Sequence, residues 1–159
     1  MKKIIPLFFA MLMLCACSAK TYTPVIDTVF TVNAVYKTGD FSYNCRIDKT
    51  DSSICVTPTS TNAKGLLITY DGKNVSYAKD DMKKTFSADT LDKTNPAIVL
   101  YDIFSYIENT ENLDVKKRED GFEYKGKIDA GEFSLVQKAD NSLKSITIQS
   151  ADISVVFYN

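Results

Sequence analysis

Turn residues recur about every ten positions through the second half of this 159-residue chain, and apolar and polar side chains alternate in the stretches between them. Asp120-Gly121, Ala130-Gly131 and Asp140-Asn141 mark the turns there, and Gly39-Asp40 and Asp71-Gly72 do the same nearer the start. A period of two sends successive side chains to opposite faces of a strand, so each run has one face to bury and one to leave in water. Short turns at this spacing tie each strand to its antiparallel neighbour, the pattern of an up-and-down meander.

The alternation assigns the faces. Ile26, Thr28, Phe30, Val32, Ala34 and Tyr36 share one side of a first strand, and in the next run Phe41, Tyr43, Cys45 and Ile47 alternate with Ser42, Asn44, Arg46 and Asp48. Asp71-Gly72 predicts a hairpin, because both residues tolerate positive φ; a two-residue turn there pairs Tyr70 with Lys73, Ile68 with Val75 and Leu66 with Tyr77. Met82 and Phe86 suggest one more short strand. In the second half, strands are expected over 113–118, 122–128, 132–138, 143–149 and 153–158.

The period changes once. Thr94-Asn95-Pro96 offers an N-cap and a proline at the first helical position, where its missing N–H costs nothing. Ala97, Leu100, Ile103, Phe104 and Ile107 then recur at helical spacing, with Val99 and Tyr106 widening the stripe, to about Asn109. So oily a helix must lie on something, and the concave side of the sheet is its natural partner.

The first sixteen residues read differently. Met1-Lys2-Lys3 precedes an apolar run from Ile4 to Leu14, broken by Pro6. A cationic start with about a dozen apolar residues is a secretory signal, since a membrane-crossing helix needs about 20. Leu14-Cys15-Ala16-Cys17 resembles the lipobox of bacterial lipoprotein signal peptides: an aliphatic residue, a tolerant position, a small residue, then the cysteine that becomes the lipidated N-terminus. The expected organisation is a signal peptide over 1–16, a lipidated N-terminus and tether over 17–25, and one domain over 26–159. Acylation of Cys17 with two or more chains gives stable membrane attachment on the extracytoplasmic side, at an outer membrane or the outer leaflet of a plasma membrane.

Oxidation is permitted in that compartment, and Cys45 and Cys55, if bridged, close a loop of about ten residues. Placing Cys45 opposite Cys55, however, sends Ile54 and Val56 to the face away from Ile47, which requires a bulge or a sheet covered on both sides. Loss of residues 1–16 removes Lys2 and Lys3 and no acid from a chain with 19 basic and 20 acidic residues, and so leaves a mildly acidic protein. It has no basic run of the kind nucleic-acid binding needs.

Histidine is absent. A Ser-His-Asp or Cys-His constellation therefore cannot be built, and a zinc site lacks its commonest nitrogen ligand. Asp80-Asp81 and Glu119-Asp120 are flanked by basic residues, as solvated turns usually are, and Asp48 to Asp51 lacks the glycine and closing glutamate of a calcium loop. No catalytic residue, metal site or cofactor is expected.

Strands, one helix, then more strands behind a lipobox resemble the lipoprotein-localisation-factor superfamily, the LolA/LolB-like proteins and their LppX-like relatives. The likeness is carried by GLLITYDGKNVSY (65–77), NPAIVLYDIFSYI (95–107) and the run from Gly121 to Asn159. It implies a mainly β domain with one helix, of α+β class: a curved antiparallel sheet forming an incomplete β-barrel, covered on its concave face by the helix. It also implies a hydrophobic groove for a lipid or other apolar ligand, here lined by Phe30, Phe41, Tyr43, Ile68, Leu100, Phe104, Phe122 and Phe133. If sheet and helix mesh instead, the same residues make an ordinary filled core, and the protein is a non-catalytic envelope or cell-surface interaction protein.

Overall fold

The computed structural model describes residues 26, 27 and 29–158. In chain order the strands are β1 (Phe30–Thr38), β2 (Phe41–Lys49), β3 (Ile54–Pro58), β4 (Leu67–Tyr70), β5 (Asn74–Lys79) and β6 (Met82–Ser87); after the helix α1 (Pro96–Asn109) come β7 (Asp114–Arg118), β8 (Gly121–Ile128), β9 (Gly131–Lys138), β10 (Leu143–Ile148) and β11 (Ile153–Tyr158). All eleven strands form one antiparallel sheet in the order β6-β5-β4-β3-β2-β1-β11-β10-β9-β8-β7.

This order follows from short connections. The chain begins at the centre of the sheet and meanders outward to β6; α1 carries it to the opposite edge, β7, and a second meander returns it to β11 beside β1. The helix therefore runs across the strands. Near its start Asn95 donates to the Tyr77 hydroxyl on β5 at 2.6 Å, and further on Tyr106 meets Phe133 on β9 edge-on, with centroids 5.4 Å apart. Flat, β5 and β9 would lie about 34 Å apart, whereas the helix from Asn95 to Tyr106 is only about 16 Å long. The sheet curls around α1.

Curling does not close it. An incomplete barrel is the expectation that the structure overturns, because β6 and β7 each end the sheet and do not pair with one another. Closure needs the two outermost strands to meet at a set tilt and stagger, and here the crossover helix joins them instead. The fold is an open, curved, eleven-stranded sheet with one α-helix among the described residues.

The inner face carries the core. Tyr36, Ile47, Ile54, Val56, Tyr124, Leu135, Ile146, Ile148 and Val155 are fully or almost fully buried, together with Ala97, Ile98, Val99, Leu100, Ile103 and Phe104 of α1. The helix starts as its sequence requires: Pro96 occupies the first turn and the Asn95 side chain accepts the Ala97 N–H. The β4–β5 register differs from expectation. Tyr70 pairs with Val75 and Ile68 with Tyr77, because the Asp71 carboxylate accepts the N–H groups of both Lys73 and Asn74 and widens the turn. The slip is two residues, so every side chain keeps its face.

Candidate functional site

The residues expected to line a groove all lie on α1 or on the inner face of the sheet, but they do not enclose one space. Phe30 stands edge-on against Phe104 with centroids 5.0 Å apart. Ile68, Leu100, Phe104 and Phe133 are buried, and Phe122 is half-buried on β8. Phe41 and Tyr43 belong to a separate aromatic ladder at the β1–β2 turn: Phe41, 57 % exposed, tilts against Tyr43, which stacks on buried Tyr36, both at 5.6 Å. A slot wide enough for an acyl chain would leave free surface along its walls. Val99, Leu100, Ile103, Tyr124, Leu135, Ile146 and Val155 have none.

Alternation misses several residues at this interface. Tyr101 packs on Tyr70 with centroids 4.9 Å apart, and its hydroxyl covers Gly72 so closely that a Cβ there would sit 2.8 Å away. Gly126 is a close-approach glycine: an added Cβ would fall 2.4 Å from the Tyr106 ring and 2.7 Å from that of Phe133. Buried Gln137 accepts the Tyr124 hydroxyl proton at 2.6 Å and donates to the Asn141 carbonyl at 2.9 Å. The Tyr36 hydroxyl, also buried, has no hydrogen-bond partner among the described residues, and burial, then the neighbouring Tyr43 and Cys45, push its pKa well above the usual phenol range.

Cys45 and Cys55 are not bridged, which corrects the expected disulfide. Cys45 sits opposite Pro58 and Cys55 opposite Asp48, so Ile47, Ile54 and Val56 share the inner face while Cys55 points outward with Asp48. The sheet itself separates the two sulfurs. Burial raises the Cys45 thiol to about 11, which makes it an inert core group. Cys17 lies outside the described residues.

Charge is arranged on both faces. Buried Lys49 pairs with Glu108 of α1 at 2.9 Å and donates to the Thr50 carbonyl, which fastens the helix to β2. On the outer face, buried Glu123 accepts from Ser134 at 2.7 Å and from Arg118, whose guanidinium lies 2.7 Å away; these bonds hold its carboxyl below the ordinary range. On α1, burial and then Asp129 hold Asp102 above that range, against the pull of Lys93.

Three of the clefts among the described residues bear on function. A polar one of about 610 Å³ lies on the outer face over β8, β9 and β10, lined by Glu123, Lys125, Lys127, Glu132, Thr147 and Gln149 among others. Another, of about 410 Å³, runs beside the end of α1 from Asp102 to Asp129. The third, of about 170 Å³, lies at the start of β1 between Ile26, Phe30, Val32 and Leu143. Among the described residues no group of three histidine, cysteine, aspartate or glutamate side chains could hold a metal ion, and no helix is long and apolar enough to cross a membrane. No family model matches the chain, and comparison with curated proteins finds no match.

Proposed function

We propose that the chain is a membrane-tethered protein of the extracytoplasmic side, held by an acylated Cys17, whose folded domain acts by docking molecules on its surface and does not enclose a ligand. The anchor rests on residues 1–17: a cationic start, an apolar stretch too short to span a bilayer, and the Leu-Cys-Ala-Cys run. One observation carries the docking half. The walls between α1 and the sheet are flush, with Leu100, Ile103, Tyr124, Leu135 and Val155 at zero exposure, which supports a filled core over a chain-holding slot.

Carriage of an apolar ligand is the second reading, favoured by the likeness to the LolA/LolB-like proteins and by the cleft at Ile26, Phe30, Val32 and Leu143. At about 170 Å³ that cleft is smaller than the pockets of roughly 300 Å³ and upward that bury a drug-sized ligand. Palmitate labelling in a bacterial host tests the anchor: label enters the wild-type chain and is absent from Cys17→Ala. Label retained by Cys17→Ala, or a product confined to the cytosol, would overturn it. Titration with a fluorescent fatty acid separates the two readings of the domain, since a filled core gives no saturable signal.

A further inference from the structure

We infer that the free edge of β6 takes up an extended acidic segment of another protein as a twelfth strand. β6 ends the sheet, pairs with β5 over six successive residues without a bulge, contains no proline, and has every residue exposed. Protein edges are ordinarily shortened, bulged, capped by proline or covered, since a bare edge is a template for another chain. This one keeps only its lysines.

The ladder sets which backbone groups are free. Ala88 N–H donates to the Lys73 carbonyl at 3.0 Å, and in an antiparallel pair the inward-bonded residues alternate. Phe86, Lys84 and Met82 therefore spend their backbone groups on β5, while Lys83 and Thr85 turn theirs outward. Side chains divide in the same period. Met82, 72 % exposed, and Phe86, resting edge-on against Tyr77 at 5.9 Å, form an apolar shelf on the inner face, with Lys84 between them and Lys83 on the other face.

Charge selects the occupant. Among the described residues neither lysine has an ion-pair partner. A second copy is disfavoured, because β6 against β6 opposes Lys83 and Lys84 to themselves, and β6 against β7 opposes them to Lys116, Lys117 and Arg118. An incoming strand fits when two adjacent acids meet the two lysines, one on each face, and an apolar residue lies beside Phe86. Main-chain bonds then supply affinity and the side chains supply choice. The inference rests on the docking reading above, yet the two fail separately: fatty-acid binding contradicts the filled core and leaves this edge untouched.

The test uses the full chain in detergent with two acetylated, amidated peptides, Thr-Val-Thr-Glu-Glu-Val-Thr and its Lys-Lys counterpart. The acidic peptide should bind about tenfold more tightly than the basic one, as two cross-strand charge pairs imply, with amide shifts centred on residues 82–87. Lys83→Glu/Lys84→Glu should invert that preference, and Thr85→Pro, which removes an outward N–H and no ladder bond, should abolish binding by both peptides. Equal affinities, no binding, shifts centred elsewhere, or a preference unchanged by the double substitution would each overturn the inference; so would loss of binding to phosphatidylglycerol vesicles in the double variant without any peptide preference, which would make the edge a membrane contact. The lysine exchange keeps the question decidable if Thr85→Pro fails to fold.

Discussion

Tyr36 keeps a hydroxyl in the core that finds no hydrogen-bond partner among the described residues, while its ring stacks on Tyr43. A buried donor without a partner costs about 1–3 kcal/mol, so Tyr36→Phe, which retains the ring, is expected to raise stability by about 1 kcal/mol where most core substitutions lower it. Urea unfolding checks this through a higher midpoint at constant slope. Gly126 gives the opposite case, for an alanine methyl would meet two aromatic rings that are already in contact. Gly126→Ala should cost about 1–3 kcal/mol by overpacking. Lys49 and Glu108 act as a unit: Glu108→Ala leaves a buried ammonium unpaired and should cost about 3 kcal/mol. Removing both charges, in Lys49→Met/Glu108→Gln, should recover most of that loss in the same assay. None of these three features was legible in the residues alone, because each depends on which side chain of a distant element arrives opposite.

At the scale of elements the alternation was informative. Phe41 to Asp48 and Phe122 to Ile128 read directly as strands, since the period of two survives any change of partner, and the helix announced both its cap at Asn95 and its apolar stripe. Register was not legible. The Asp71 side chain widens one turn, and the Thr50–Ser53 turn sets β3 so that Cys45 and Cys55 fall on opposite faces; both outcomes come from side-chain to backbone bonds that hydrophobic pattern does not encode. Of the residues expected to line a groove, Phe30, Ile68 and Phe133 of the sheet and Leu100 and Phe104 of α1 lie where helix and sheet pack, whereas Phe41 and Tyr43 stand apart from the helix. Asn95 joins two tasks, accepting from Ala97 and donating to Tyr77, and thereby ties the start of α1 to β5. Asn95→Ala should therefore cost more than an isolated cap, about 1–2 kcal/mol, with hydrogen exchange accelerating first in the opening turn of the helix.

For the whole molecule, closure of the sheet was the feature furthest from the sequence, because alternation states which side chains point inward and not whether the outermost strands meet. The open arrangement leaves two basic edges on a chain that is acidic overall. Local hydrogen bonds to carboxylates set the response to acid. Glu123, Asp71, Asp92, Asp120 and Asp140 are all held below their ordinary range by hydrogen bonds, from Ser134 and Arg118 at Glu123 and from nearby backbone or side-chain donors at the others. A lowered folded-state pKa means that the unfolded chain binds protons first. Their stabilisation is therefore present at neutral pH and is lost as pH falls below about 4 through the depressed values. Asp102 has the opposite sign, its raised pKa making the folded state slightly more stable as the carboxyl protonates on going down from neutrality. The expected curve is shallow near neutrality and steep in acid, and Glu123→Gln should flatten the acid limb when thermal midpoints are followed against pH.

On this reading only the protein's own side chains fill the space between helix and sheet. Native mass spectrometry of the full chain, purified from membranes and released gently from detergent, tests this most directly. The expected mass is that of the polypeptide with its covalent acyl groups and no further species, whereas a hydrophobic molecule that stays bound after activation and is shed as a neutral of constant mass would show that the core holds a ligand.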